Sequence, residues 1–294
     1  MTWWHAVIIF VAGIWAGGIN AVVGSGTLVT FPVLVALGYP PVVATTSNAV
    51  GMAPGSISGA YGYRRELEGY WPQVMRFAVA SFFGAICGTA LLLTLPKDAF
   101  ETVVPVLVGL AVVLVIVQPR ISKWVQKRRT AAAAAAETSV APADEAGPTP
   151  AAASSAATVA AGAVNASAPS GTSGAGRPAG PLLMGLLFLI GIYGGYFTAA
   201  QGVMMMAVMG MLLAEPMQRL NGVKNSLSAV VNVVAGLIYA IVAPVSWPVI
   251  GLLAVGSTIG GQLGAKIGRR LSPTVLRGVI VVIGIAAVVQ LLLK

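Results

Sequence analysis

Apolar positions in this chain run together in blocks far longer than a soluble core element requires. Met1–Tyr63 carries no charged side chain, with His5 its one imidazole, and Leu182–Ala214 and Asn225–Ala265 carry no charge at all. A hydrocarbon layer about 30 Å thick is crossed by about 20 apolar residues in a helix. The pattern predicts helical segments over 5–22, 24–38, 42–63, 73–95 and 100–118, then over 181–200, 202–214, 223–243, 248–266 and 275–293. At a rise of about 1.5 Å per residue, 24–38 and 202–214 reach only about 20 Å and fall short of a full crossing. Gly24-Ser25-Gly26 and Gln201-Gly202 separate these short pieces from the segments before them. Short, glycine-broken apolar pieces at matching places in two halves predict discontinuous or re-entrant helices.

Between the two sets, 119–180 changes character. A basic cluster (Arg120, Lys123, Lys127, Arg128, Arg129) gives way to Ala, Ser, Pro, Gly and Thr. Such a tract buries too little apolar surface to offset its ordering entropy and reads as a disordered linker. The domain expectation is therefore a first membrane repeat over 1–118, a linker over 119–180 and a second repeat over 181–294.

Composition agrees with the pattern: 57% of residues are hydrophobic, 9% are charged, and mean hydropathy is +0.89. The net charge of +9 does not point to nucleic acid, because the basic residues flank apolar segments, where they act as topology signals. With the linker on the cytoplasmic side and five segments per half, 15 of the 17 Lys and Arg residues fall inside, and only Lys97 and Lys294 fall outside. Both termini are then extracytoplasmic. No basic residue precedes the first apolar run, so a cleaved leader is not expected. Cys87 is the single cysteine and can form no internal disulfide. Trp3, Trp4, Tyr70, Trp71, Trp124 and Trp247 sit at segment ends, as interfacial aromatics do.

The halves resemble each other. At an offset of 178 residues, Gly13-Ile14-Trp15-Ala16-Gly17 aligns with Gly191-Ile192-Tyr193-Gly194-Gly195, and Gly24 with Gly202. The same offset sets Thr45-Thr46-Ser47-Asn48 beside Val223-Lys224-Asn225-Ser226; later, Gly84 and Gly88 align with Gly260 and Gly264. Five is an odd number, so the second copy enters from the opposite side. The fold class expected is an all-α polytopic membrane protein built of two inverted-topology repeats of five segments. Carriers of that design bind cargo near the midplane, between the repeats.

In "AGGINAVVGSGTLVTFPVLVALGYPPVVATTSNAV" a glycine break, a proline-interrupted apolar run, a Gly-aromatic-Pro turn and an Ala-Thr-Thr-Ser stretch follow one another. This resembles the TauE/SafE sulfite exporter family. "GGYFTAAQGVMMM" and "NGVKNSLSAVVN" look like that family's more divergent second copy. The resemblance implies a multi-pass carrier in a bacterial inner membrane for sulfite, organosulfonates such as sulfoacetate, or related anions.

A carrier for such anions must replace water around a charged, oxygen-rich group in a low-dielectric site, with few buried charges. Backbone N–H groups at broken helices supply donors and partial positive charge. The candidate binding residues are Asn20, Gly24, Ser25 and Gly26, beside Thr27, and Gln201 and Gly202 opposite, beside Thr198. The second group is read as a pair of helix starts, Thr45, Thr46, Ser47 and Asn48 with Lys224, Asn225 and Ser226. Glycine lets the backbone approach a ligand; Ser, Thr, Asn and Gln add side-chain donors. For each of these, packing between helices is the competing role, and for Lys224 it is a snorkelling anchor.

Pro32 and Pro54 are read as kinks, and Met204, Met205, Met206, Met209 and Met211 as adaptable packing. All eight carboxylates lie in loops, in the linker or at segment ends, so a relay of buried acids is not expected. No Walker-type loop or metal-spaced cluster is present in the sequence, and no cofactor is implied. The chain is expected to be a secondary transporter by alternating access and not an enzyme. A passive anion channel is the first alternative and a membrane-embedded enzyme the second. The expected partners are a small anion and membrane lipids, with no nucleic acid, and the oligomeric state, homo-oligomer included, stays open.

Overall fold

A computed structural model describes residues 2–96, 99, 100, 102–118, 120 and 180–267, with the single positions 278, 281, 282 and 285. The linker 119–180, Arg120 and Gly180 excepted, lies outside the described residues, as does most of the expected 275–293 segment.

All regular structure among the described residues is helical. In chain order the helices are α1 Trp3–Val22, α2 Thr27–Ala36, α3 Pro41–Gly62, α4 Trp71–Thr94, α5 Thr102–Gln118, α6 Pro181–Phe197, α7 Gln201–Leu212, α8 Met217–Val242 and α9 Trp247–Ile267. A 3₁₀ turn, Arg64–Leu67, joins α3 to α4. α1, α4, α8 and α9 have the length and apolarity to cross a membrane. α2 and α7, with 10 and 12 residues, are the short pieces. Helix boundaries follow prolines where the sequence offers them. Pro41 opens α3, Pro72 lies in the first turn of α4 and Pro181 opens α6, where a fixed φ and a missing N–H cost nothing.

α8 starts six residues before the expected 223. Its first two turns carry Arg219, which hydropathy alone leaves outside the segment, and Lys224, which falls inside it. Arg219 is instead paired to Glu215 at 2.7 Å, and Lys224 is fully buried.

Each short helix folds back along the helix before it. A Cβ on Gly26 would meet the Ala16 carbonyl and Asn20 Cβ, while Val29 and Val33 run beside Val7, Val11 and Trp15. On the other side, Gln201 packs on Gly194, and Ala207 and Val208 run beside Leu186 and Leu189. α1–α2 and α6–α7 are thus two antiparallel hairpins.

Two long helix pairs hold these hairpins, and both use glycine to bring backbones together. In α4–α6, a Cβ on Gly84 would meet the Phe188 carbonyl, one on Gly88 the Ile192 carbonyl, and one on Gly195 the Ala85 carbonyl. In α1–α9 the same carbonyls recur: Gly256 against Phe10, Gly260 against Ile14, and Gly17 against Ser257. Phe188 and Phe10, like Ile192 and Ile14, differ by 178; Gly256 and Gly84, like Gly260 and Gly88, differ by 172. The contacts therefore pair Gly84 with Gly256 and Gly88 with Gly260, one helical turn from the alignment that glycine spacing alone suggests.

Candidate functional site

The two hairpin tips touch. α1 ends at Val22, and Gly24 turns the chain with φ of +89°. α6 ends at Phe197, and Thr198 and Ala200 turn it with φ of 44° and 56°. Left-handed backbone is cheap for glycine and costs a residue with a Cβ about 1–2 kcal/mol, so the second tip is strained. The Gly202 N–H donates to the Gly24 carbonyl at 3.1 Å. A Cβ on Gly24 would lie 2.6 Å from the Gly202 Cα, and one on Gly202 would lie 2.5 Å from the Gly24 Cα. Only two glycines allow that approach.

A first polar cluster surrounds this contact. The Thr27 and Thr198 hydroxyls share a hydrogen bond of 3.1 Å. Asn48 of α3 donates from Nδ2 to Thr27 Oγ1 at 3.1 Å and accepts at Oδ1 from the Thr30 hydroxyl. Every one of these side chains is buried. The Ser25 hydroxyl and the Gln201 Nε2 at the hairpin tips, and the Thr45 hydroxyl three residues before Asn48 on α3, are buried without a hydrogen-bond partner. An unsatisfied buried polar group costs about 1–3 kcal/mol, so Ser25 and Gln201, at the two hairpin tips, keep polar atoms open for hydrogen bonding.

A second cluster lies where α8 crosses the end of α1. Lys224 Nζ donates to the Asn20 carbonyl at 3.1 Å and the Ala21 carbonyl at 3.0 Å. Asn225 Nδ2 donates to the same Ala21 carbonyl at 3.1 Å. The Asn20 side chain reaches Ser56 Oγ at 3.3 Å, and Asn232 Nδ2 reaches the same hydroxyl at 2.7 Å. Asn232 Oδ1 has no partner. Since Lys224 is 0% exposed, the snorkelling alternative does not describe it.

One feature of the sequence reading is corrected. Thr45–Asn48 and Lys224–Ser226 are not helix starts: α3 begins at Pro41 and α8 at Met217, so their backbone N–H groups are already spent inside helices. Thr46, Ser47 and Ser226 are also occupied elsewhere. The Thr46 hydroxyl lies 2.8 Å from the Pro244 carbonyl, Ser47 Oγ accepts from the Ser246 N–H, and Ser226 bonds the Gly222 carbonyl within its own helix.

Thr30, Ser56 and Asn232 escaped the sequence reading. A helical stripe could have found two of them: Asn48 and Ser56 on α3, and Asn225, Ser228 and Asn232 on α8, recur at near-integral turns.

Away from the clusters, the α3–α4 corner meets the start of α8. Arg219 Nε donates to the Glu66 carbonyl at 3.3 Å, and its guanidinium sits 5.3 Å from the Tyr70 ring centre. Burial and the Glu215 carboxylate push the Tyr70 phenol up to about 12, partly opposed by Arg219.

A family model described as Sulfite exporter TauE/SafE matches residues 9–291. A probable membrane transporter protein of Haemophilus influenzae is 21% identical over 277 residues, covering 94% of this chain and 89% of that protein. The probable membrane transporter protein YfcA of Escherichia coli K12 is 28% identical over 123 residues, 42% of this chain and 45% of its own length. Probable membrane transporter protein ORF9 of a Sinorhizobium species is 29% identical over 99 residues, 34% and 38% of the two chains. No solved structure matches.

Proposed function

Because the chain belongs to the sulfite exporter TauE/SafE family and is a multi-pass membrane transporter, we propose that it is a secondary carrier of sulfite or organosulfonates. The carrier works by alternating access between two inverted repeats in a bacterial inner membrane, linker inside and both termini outside. The observation that carries this reading is the contact of the two glycine breaks, Gly24 against Gly202. Residues equivalent at an offset of 178 that touch each other lie where a twofold axis between two repeats would pass. The matched carbonyl contacts of α4–α6 and α1–α9 support the same relation.

The cargo site is the first cluster: Ser25, Gly26, Thr27, Thr30, Thr45, Asn48, Thr198 and Gln201 around the Gly24–Gly202 contact. Its donors are hydroxyls and amides, which replace an oxyanion's hydration without a buried charge for every oxygen. Lys224, Asn225 and Asn20 stand beside it. Thr46, Ser47 and Ser226, already bonded to backbone, position their helices and do not contact cargo.

Two measurements on purified protein test the reading. Sulfite or sulfoacetate is expected to raise the unfolding temperature in detergent while a carboxylate analogue does not, as a ligand that prefers the folded state must. In liposomes, unlabelled anion inside is expected to accelerate labelled uptake. Stabilisation without counterflow would replace the carrier by a channel, and silence toward every sulfur anion would remove this cargo class.

A further inference from the structure

α1 presents the carbonyls of its last turn at the break, where no following helical N–H takes them. Val23 and Gly24 both donate back to Ile19, which leaves Asn20 and Ala21 open. In carriers built of broken helices, carbonyls at half-helix C-terminal ends are where a coupling cation is coordinated, because the helix dipole and the bare oxygens both favour positive charge.

Here a side chain fills that place. Lys224 reaches from the second turn of α8, fully buried, and puts its Nζ 3.1 Å and 3.0 Å from these two oxygens. Asn225 completes the ring at the Ala21 oxygen. Among the described residues no carboxylate pairs with Lys224; the ion pair there is Arg219–Glu215. Burial works against an ammonium, while bare carbonyls at a helix C-terminus work in its favour, and at this position Lys224 has two of them. The equivalent position of the first half is Thr46, at an offset of 178, and its hydroxyl contacts the Pro244 carbonyl. Among the described residues, a basic side chain therefore meets the carbonyls of the first break, and the equivalent position of the other half carries a hydroxyl.

We propose that Lys224 is a tethered cation standing at the coupling-ion position of the first repeat, so that anion movement by this protein requires no sodium ion. The inference rests on the carrier reading for its meaning in transport, yet its binding chemistry can be tested apart from it. Counterflow of sulfoacetate in liposomes is measured with sodium or with N-methylglucamine as the only added cation. Wild type is expected to run at the same rate in both.

Lys224→Ala, which leaves the carbonyls bare and a space beside them, is expected to slow at least about tenfold. It should regain rate in millimolar methylammonium or sodium. Lys224→Met, which fills the space without charge, should stay slow in every cation. In detergent, methylammonium chloride is expected to raise the unfolding temperature of the alanine variant and leave wild type unchanged. A wild type that needs sodium, a methionine variant as fast as wild type, or an alanine variant that no small cation stabilises or reactivates overturns the proposal. If sulfur anions do nothing to wild type, the cargo reading fails, and the cation-dependent unfolding of the alanine variant still decides this one. Should the alanine variant not fold at all, Lys224→Arg decides: folding and transport like wild type support the tethered charge, and failure of both variants in the presence of methylammonium rejects it.

Discussion

A single methyl group tests the contact on which the site is built. Gly24 has two reasons to lack a Cβ: its φ of +89° and a Gly202 Cα that would lie 2.6 Å away. The left-handed conformation costs alanine about 1–2 kcal/mol, and forcing extra volume into a packed interface about 1–3 kcal/mol. Gly24→Ala is therefore expected to lower the unfolding temperature by roughly 4–20 °C, at about 2–4 °C per kcal/mol for a domain of this size. Gly185→Ala in α6, where a Cβ would meet nothing within 4 Å, is the control and is expected to leave the temperature unchanged or slightly raised. Thermal unfolding of both variants in one detergent decides it; equal effects would mean that Gly24 and Gly202 do not meet. The importance of Gly24 was legible from Gly24-Ser25-Gly26 as a break in an apolar run. Its partner was legible only through the repeat: the offset of 178 set Gly202 opposite Gly24, and the structure brings the two together.

At the scale of elements, hydropathy placed the helices well and their polar entrances poorly. α3, α4, α5, α6, α7 and α9 begin and end within about two or three residues of expectation, because prolines and glycines mark the turns. α8 was misjudged at its start because apolarity reads a charged turn as a loop, whereas Arg219, half-buried, is tied to Glu215 and to the Glu66 carbonyl. That tie makes the α3–α4 corner and the start of α8 one unit, with Tyr70 between them. An unfolded tyrosine ionises near pH 10, while burial and Glu215 hold the Tyr70 proton up to about 12. Below pH 10 both states keep the proton and the contribution of Tyr70 to stability is complete. Between about pH 10 and 12 only the unfolded chain releases it, so that contribution fades as pH rises. Wild type is expected to lose more unfolding temperature between pH 8 and pH 11 than Tyr70→Phe does, measured in parallel scans. Identical losses would place the phenol in water, apart from Glu215.

Across the whole molecule, the proposed twofold relation makes a quantitative demand that neither half makes alone. Small residues recur by chance in membrane helices, so collinear glycines in sequence are weak evidence, and their spacing even suggested Gly88 opposite Gly264. Carbonyl contacts discriminate better, because they require the same atom of the same residue at the same depth. Gly88 faces the Ile192 carbonyl in α4–α6, and Gly260 faces the Ile14 carbonyl in α1–α9. In both, a Cβ would drive the helices apart or displace that carbonyl, with overpacking costs of about 1–3 kcal/mol. Gly88→Ala and Gly260→Ala are therefore expected to lower the unfolding temperature by similar amounts. The two sites sit in separate interfaces with no shared partner, so the double variant should add the two losses to within about 0.5 kcal/mol. Unequal single effects would mean that the interfaces are alike in outline only. Equal and additive ones would fit two copies of one interface on either side of the Gly24–Gly202 contact, which is what a carrier needs if rocking one repeat against the other is to open each face in turn while the site between them stays in place.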